Sequence, residues 1–320
     1  MSAIDLTNRS FFITGGTGFV GRTLLDYLIN WQTQTGQNFN VTVLSRYPEK
    51  FLSQYVKYTG RPWLSFVQGS LHDLPPPDYY TDVIHAAAEP HLQGQGAQQI
   101  DQIVNGTAAV LNFAVQSQAV RFLHTSSGAV YGPQPDHLLK IPEDYAGAPA
   151  TEAVSSIYGQ AKRVAEQLCT VYYHEYGLKT VNARCFAFAG KHLPQNGAYA
   201  LGNFIRDALY FDAIRVRGDG TAVRSYLDGE DMAHWLLALL QTGKPGEAYN
   251  VGSENAVTVK ELAQLVAQML APGKTVKIEN EEAANTHRSR YIPSTGKAEA
   301  LGLTQRYSLE QAIGRSIEKP

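Results

Sequence analysis

Apolar residues in the first half of the chain come in short runs separated by longer amphipathic stretches. Residues 11–14, 41–44, 64–67, 82–88 and 121–127 are mostly apolar runs without strict alternation, which fits strands buried on both faces of a sheet. The stretches 23–31, 100–116 and 156–176 instead place apolar residues at helical spacing, each with one face to bury. Strands alternating with helices in this order predict an α/β fold, a Rossmann-type doubly wound parallel sheet. A sixth strand is expected over 180–190, and from there the rhythm becomes that of a smaller C-terminal lobe, with short runs at 203–209, 214–220 and 223–227. An apolar helix over 231–240 and a strand at 248–252 lead back to the larger body. The expected division is therefore 1–189 with about 225–255 as one domain, and 190–224 with 256–320 as the lobe. Thr258-Val-Lys-Glu261 and Ser308-Leu-Glu-Gln311 have the spacing of capping boxes, in which two side chains satisfy N–H groups that a helix start leaves unpaired.

Composition narrows the function classes. The 320 residues carry a net charge of -2, with no basic footprint for nucleic acid. The longest strongly apolar run, 235–240, is far short of the ~20 residues that span a bilayer, and residues 1–8 have no signal-peptide layout, so a cytoplasmic protein with no membrane contact is expected. Cys169 and Cys185 cannot form a disulfide framework and lack metal-ligand spacing; both are expected to be small core residues, with no metal site.

Three stretches carry chemistry. Tyr158 and Lys162 lie four residues apart in a helical segment, so they share a face. A lysine cation ~5 Å from the phenol at an effective dielectric of ~20 would favour the phenolate by roughly 3 kcal/mol, lowering the tyrosine pKa by about two units. Gly15-Gly-Thr-Gly-Phe-Val-Gly21 turns a strand into a helix, with glycines where a tight turn and close backbone approach to a pyrophosphate are needed. Arg121-Phe-Leu-His-Thr-Ser-Ser-Gly-Ala-Val-Tyr-Gly132 reads as a buried strand that ends in hydroxyls.

Together these stretches resemble the extended short-chain dehydrogenase/reductase family, the NAD-dependent epimerase/dehydratase group acting on nucleotide sugars, over nearly the whole chain. The resemblance implies that Gly15, Thr17, Gly18, Phe19, Val20 and Gly21 cradle a dinucleotide, with Ser70 and Leu71 at its adenine and Ala86, Ala87 and Ala88 along its length. Ser45 and Arg46 stand where many NAD-using relatives carry an acid, and a carboxylate there would repel the 2′-phosphate that serine and arginine can bind. NADP is therefore favoured, with NAD possible. Tyr158 and Lys162 also line the cofactor site, and Ser127, Tyr158 and Lys162 match the family's catalytic residues. Ser126 is expected to bond backbone at the strand end. Glu89, His91, Asn203, Arg224 and Arg290 match substrate positions, Arg224 as the diphosphate ligand with Arg206, Arg288 and Arg290 as helpers. The helices at 100–116, which carries Asn105-Gly106-Thr107, and 156–176 are the pair through which relatives dimerise as a four-helix bundle.

Gly128 and Ala129 stand where 4,6-dehydratases of the group carry an acid pair, and neither can move a proton, so dehydratase chemistry is expected to be absent. The expected activity is reduction of a nucleotide-linked 4-keto or 4-keto-6-deoxy sugar, with 4-epimerisation on a retained cofactor as the alternative. A third reading, a dinucleotide-binding sensor without catalysis, is disfavoured because Ser127, Tyr158 and Lys162 are all present. Arg46→Asp should weaken NADPH binding far more than NADH binding, since it exchanges an attractive charge for a repulsive one. Equal losses for both cofactors on titration would refute that role for Arg46.

Overall fold

The computed structural model describes residues 4–87, 95–197, 199–280 and 289–317. Its strands, in chain order, are β1 (Arg9–Thr14), β2 (Phe39–Ser45), β3 (Leu64–Gln68), β4 (Asp82–His85), β5 (Arg121–Ser127), β6 (Lys179–Cys185), β7 (Ala187–Ala189), β8 (Ala213–Val216), β9 (Val223–Asp228), β10 (Ala248–Val251), β11 (Ala256–Thr258), β12 (Thr275–Ile278) and β13 (Arg290–Tyr291). A seven-stranded sheet runs β3-β2-β1-β4-β5-β6-β10, parallel at every pairing. This is the doubly wound arrangement expected from the sequence.

Strand β1 shows why the apolar runs lack alternation. Phe11 and Ile13 face one layer, with Leu24, Leu25 and Leu28 of the helix Phe19–Thr35 and Trp235 and Leu236 of the helix Gly229–Thr242. Phe12 faces the other, with Val110 and Phe113 of the helix Gly106–Gln116 and Cys169 and Tyr172 of the helix Ile157–Tyr176. All three β1 side chains are fully buried, so both faces of the sheet must be apolar. The strand order reverses between β1 and β4, where the chain leaves in opposite directions and a crevice opens at the carboxyl ends of the strands.

Several elements differ from their expected extents. The run at 180–190 breaks at Phe186: β6 stays in the main sheet, while β7 pairs with β9 in a second sheet. There β9 takes β11 antiparallel on one edge and β13 then β7 in parallel along the other. The helix at 100–116 starts earlier, at Gly96, and passes through a π-turn at Asp101–Asn105 before Gly106–Gln116. Both capping boxes form, Thr258 with Glu261 and Ser308 with Gln311. Cys169 is buried in the core, but Cys185 is only partly buried, at the end of β6. Among the described residues no helix is long and apolar enough to cross a membrane.

Two buried histidines sit in the sheet beneath the crevice, His85 on β4 and His124 beside it on β5, with rings 5.5 Å apart. Thr107 donates to the Ile103 carbonyl, so its oxygen accepts from His85 Nε2, and Nδ1 in turn accepts from Thr14. His85 is thus a neutral tautomer that ties β1, β4 and a helix together. Among the described residues neither ring nitrogen of His124 has a partner. Burial, with Lys162 nearby, pushes His85 down to about 3 and His124 well below its ordinary value. Both rings are neutral when folded and accept protons near pH 6.5 when unfolded, so stability falls as pH drops below about 6.5, by ~1.4 kcal/mol per pH unit for each. His124→Leu should therefore gain on the parent by about 2–3 kcal/mol between pH 6.5 and 4.5 in urea unfolding. Parallel stability curves over that interval would refute this.

Candidate functional site

The glycine turn is shaped by what lies against it. Gly15 has φ +71°, and a Cβ there would fall 2.5 Å from the Ala86 carbonyl at the end of β4. At Gly21 a Cβ would meet the Gly15 oxygen at 2.2 Å. Backbone therefore packs on backbone, and the helix Phe19–Thr35 begins at Gly18 with no side-chain cap. Its first N–H groups and its dipole face the crevice, as an anion site requires. A cavity of about 360 Å³ opens there, lined by Thr17, Gly18, Ser45, Arg46, Ser70, Leu71, Ala86 and Ala87 among others. Phe19 and Val20, each partly buried, pack against the core where the helix begins. Gly106 has its own reason: a Cβ would strike Leu71 at 2.7 Å, so the glycine of Asn105-Gly106-Thr107 makes room for the leucine at the cavity floor. Ala88, Glu89 and His91 lie outside the described residues. The backbone cradle and this cavity fit a nicotinamide dinucleotide.

Beside the cradle, β5 and the helix Ile157–Tyr176 bring Ser127, Tyr158 and Lys162 together. Ser127 Oγ accepts from Ala129 N at 3.2 Å and so caps the short turn Gly128–Tyr131. Tyr158 is half-buried; its phenol faces Ser127, Tyr291, Cys185 and Tyr199. Lys162 is 2% exposed and donates to the Thr125 carbonyl at 2.7 Å. Burial lowers it to about 8. The expected depression of the tyrosine does not occur. Desolvation, with Tyr291 next in effect, holds the Tyr158 phenol well above its ordinary value, because the ammonium is directed at a strand carbonyl. Tyr158 is therefore a protonated donor at neutral pH. Ser126 also departs from expectation: its hydroxyl donates to Glu166 Oε1 at 2.5 Å, and Glu166 pairs with Arg184.

Residues expected to bind substrate are spread over the second sheet and its flank. Asn203 lines a cavity of about 660 Å³ with Arg206, Arg215, Arg217 and Asp219, and it donates to the Gly197 carbonyl. Arg224 on β9 donates to the carbonyls of Val223 and Ser289, and Arg290 stands opposite Val223 in β13. Arg288 lies outside the described residues. The residue that sequence reading missed is Tyr291, paired in register with Arg224. Its Oη lies 3.5 Å from Ser127 Oγ and 3.4 Å from the Cys185 carbonyl, and its ring packs on Phe186 with centroids 4.5 Å apart. Nothing local in Ser289-Arg-Tyr-Ile signals this; the sequence separation from Ser127 is 164 residues.

The sequence pattern of the NAD-dependent epimerase/dehydratase family matches residues 11–252. The chain belongs to this family. A relative, UDP-glucuronic acid decarboxylase 6 of Arabidopsis thaliana, is 30% identical over 312 residues, 96% of this chain and 87% of that protein. Among solved structures, UDP-N-acetylglucosamine 4-epimerase of Methanobrevibacter ruminantium superposes with a TM-score of 0.84 at 19% identity, covering 98% of each chain. The dTDP-glucose 4,6-dehydratase DesIV of Streptomyces venezuelae, with NAD bound, does so with a TM-score of 0.80 at 24% identity, covering 96% of this chain and 95% of the other. The expectation that dehydratase chemistry is absent does not stand: the family includes dehydratases, and its decarboxylases are also similar to this chain. Gly128 and Ala129 describe two positions in sequence, whereas in space the Tyr291 hydroxyl lies 2.7 Å from where a Cβ at 128 would stand.

Burying the Lys162 ammonium has a measurable consequence. Its folded pKa is about 8 and its unfolded one near 10.5, so at neutral pH the folded state carries the full cost of the buried charge, roughly 3 kcal/mol. That cost fades as pH rises from about 8 to 10.5, where the unfolded chain holds the extra proton. Lys162→Met should thus be at least as stable as the parent at pH 7, and its relative stability should fall by roughly 3 kcal/mol by pH 10.5. A pH-independent difference would refute the burial of charge.

Proposed function

We propose that the protein transfers hydride at a carbon of a nucleotide-diphosphate sugar, in net reduction of a 4-keto sugar. The observation that carries this reading is the convergence of Ser127, protonated Tyr158 and buried Lys162 beside the glycine cradle. A bound nicotinamide supplies the hydride. Ser127 hydrogen-bonds the carbonyl oxygen and polarises it. Tyr158 gives its proton to the oxygen as negative charge develops there, a task for which a raised pKa is suited, since it keeps the phenol protonated. Lys162 anchors the helix to β5 and binds the ribose. Ser45 and Arg46 at the cavity rim support NADP as the preferred cofactor, although the dehydratase DesIV binds NAD. In this reading 1–189 with 225–255 holds the dinucleotide, and 190–224 with 256–320 holds the sugar nucleotide, with Asn203 at its cavity and Arg224 and Arg290 on its diphosphate. The helices Gly106–Gln116 and Ile157–Tyr176, packed together through Tyr172 and Asn112, form half of a dimer interface.

The relatives favour a second reading, loss of CO2 from a nucleotide-linked uronic acid. Oxidation at C4, with the hydride passing to a bound oxidised nicotinamide and the hydroxyl proton to the site, would place the C6 carboxylate β to a ketone. The C5–C6 bond could then break with its electrons passing into an enolate, which would take a proton at C5 before the hydride returned to C4.

Purified protein offered NADPH and a panel of nucleotide-linked 4-keto sugars should oxidise the cofactor, and Tyr158→Phe should lower that rate by roughly 10²-fold or more with little change in stability. Release of CO2 from UDP-glucuronic acid, with none of the supplied 4-keto sugars reduced, would favour the second reading. Near-parental turnover by Tyr158→Phe would overturn both.

A further inference from the structure

Tyr291 enters the reaction centre from the second sheet, and three observations fix its relation to it. Its hydroxyl lies 3.5 Å from Ser127 Oγ and 3.4 Å from the Cys185 carbonyl, both at the long end of hydrogen bonding. Its ring and that of Phe186 fill the space beside Gly128, where a Cβ would stand 2.7 Å from Tyr291 Oη and from Phe186 Cζ. Its phenol and that of Tyr158 both face Ser127, from opposite parts of the chain. Gly128 is thus the counterpart of Tyr291, because any side chain at 128 would displace the ring or be displaced by it.

We propose that Tyr291 is a third hydroxyl of the reaction centre, donating to the sugar oxygen that Ser127 binds on the side Gly128 leaves without a side chain. This rests on the functional reading above. Burial pushes the Tyr291 phenol up to about 12, so it keeps its proton throughout the working range. A buried donor with only long contacts is incompletely satisfied, and an acceptor brought within about 2.8 Å recovers the difference. Tyr291 also sits opposite Arg224 in the β9–β13 ladder, so the strand that would grip the diphosphate positions the hydroxyl that meets the sugar.

The test is Tyr291→Phe, which keeps the ring, its packing on Phe186 and the filled space at Gly128. Thermal midpoint and NADPH affinity should match the parent, while kcat/KM for the reduced sugar falls about tenfold, mostly in kcat, as expected for one lost hydrogen bond. In a Ser127→Ala background the same change should cost twofold or less, because both hydroxyls serve one oxygen. Parental kcat/KM in Tyr291→Phe, with Tyr158→Phe inactive, would overturn this assignment and leave the functional reading standing. A loss matched by lower thermal stability and weaker cofactor binding would show packing alone and would likewise overturn it. A parent that turns over no nucleotide sugar would overturn the functional reading and this assignment with it.

Discussion

The Lys162 ammonium bonded to the Thr125 carbonyl is the contact on which the site depends. It is a charge held in a nearly water-free interior, and removing it from water costs several kcal/mol unless hydrogen bonds compensate. The compensation comes from a carbonyl next to the strand's end, so the helix Ile157–Tyr176 can occupy only the register that delivers Nζ to that oxygen. Tyr158 lies one turn earlier on the same face and is carried to Ser127, two residues beyond Thr125 on β5. A single desolvated bond thereby converts helix periodicity into the relative placement of two hydroxyls. The site is electrostatically unfavourable to the fold and useful for chemistry, a combination seen where function is selected against stability.

The surroundings of that contact raise the stakes. His85 lies in the strand whose end packs on the cradle and His124 in the strand that ends in Ser127, and burial, with the Lys162 charge, keeps both rings neutral. His85 spends both ring nitrogens on Thr14 and Thr107, which link the last residue of β1, just before Gly15, to the helix that bears Gly106. Through these bonds, with Thr125 donating to the His85 carbonyl and accepting from Lys162 at its own, cradle, cavity floor and the Lys162 helix are joined in one hydrogen-bonded block.

What was legible in the sequence is what short-range physics controls. The apolar runs revealed the parallel sheet because strands buried on two faces need them, and Gly15 and Gly21 revealed the cradle because backbone contact there admits no Cβ. Thr258 and Ser308 revealed helix starts because capping is complete within four residues. The direction of the Tyr158 shift was not legible. It depends on where the Lys162 ammonium points and on how deeply the phenol is buried, neither of which follows from four-residue spacing. The break at Phe186 was hidden for a similar reason: one apolar run can serve two sheets, and only the partners of β6 and β7 show where it changes allegiance.

Gly128 shows how a local reading of a missing side chain can mislead. An acid absent at that position suggests an inert wall, yet the space is occupied by two aromatic rings that no neighbouring sequence announces. Strand β13 delivers one of them because β9 offers a single edge to both β13 and β7, so Tyr291 arrives alongside Phe186 at the end of β6. The chemical character of the pocket at Ser127 is thus set jointly by a glycine in the dinucleotide-binding sheet and a tyrosine from the second sheet. In a family whose members include decarboxylases, dehydratases and epimerases, such pairings between a small residue and a distant ring supply a physical route by which one fold can host different reactions.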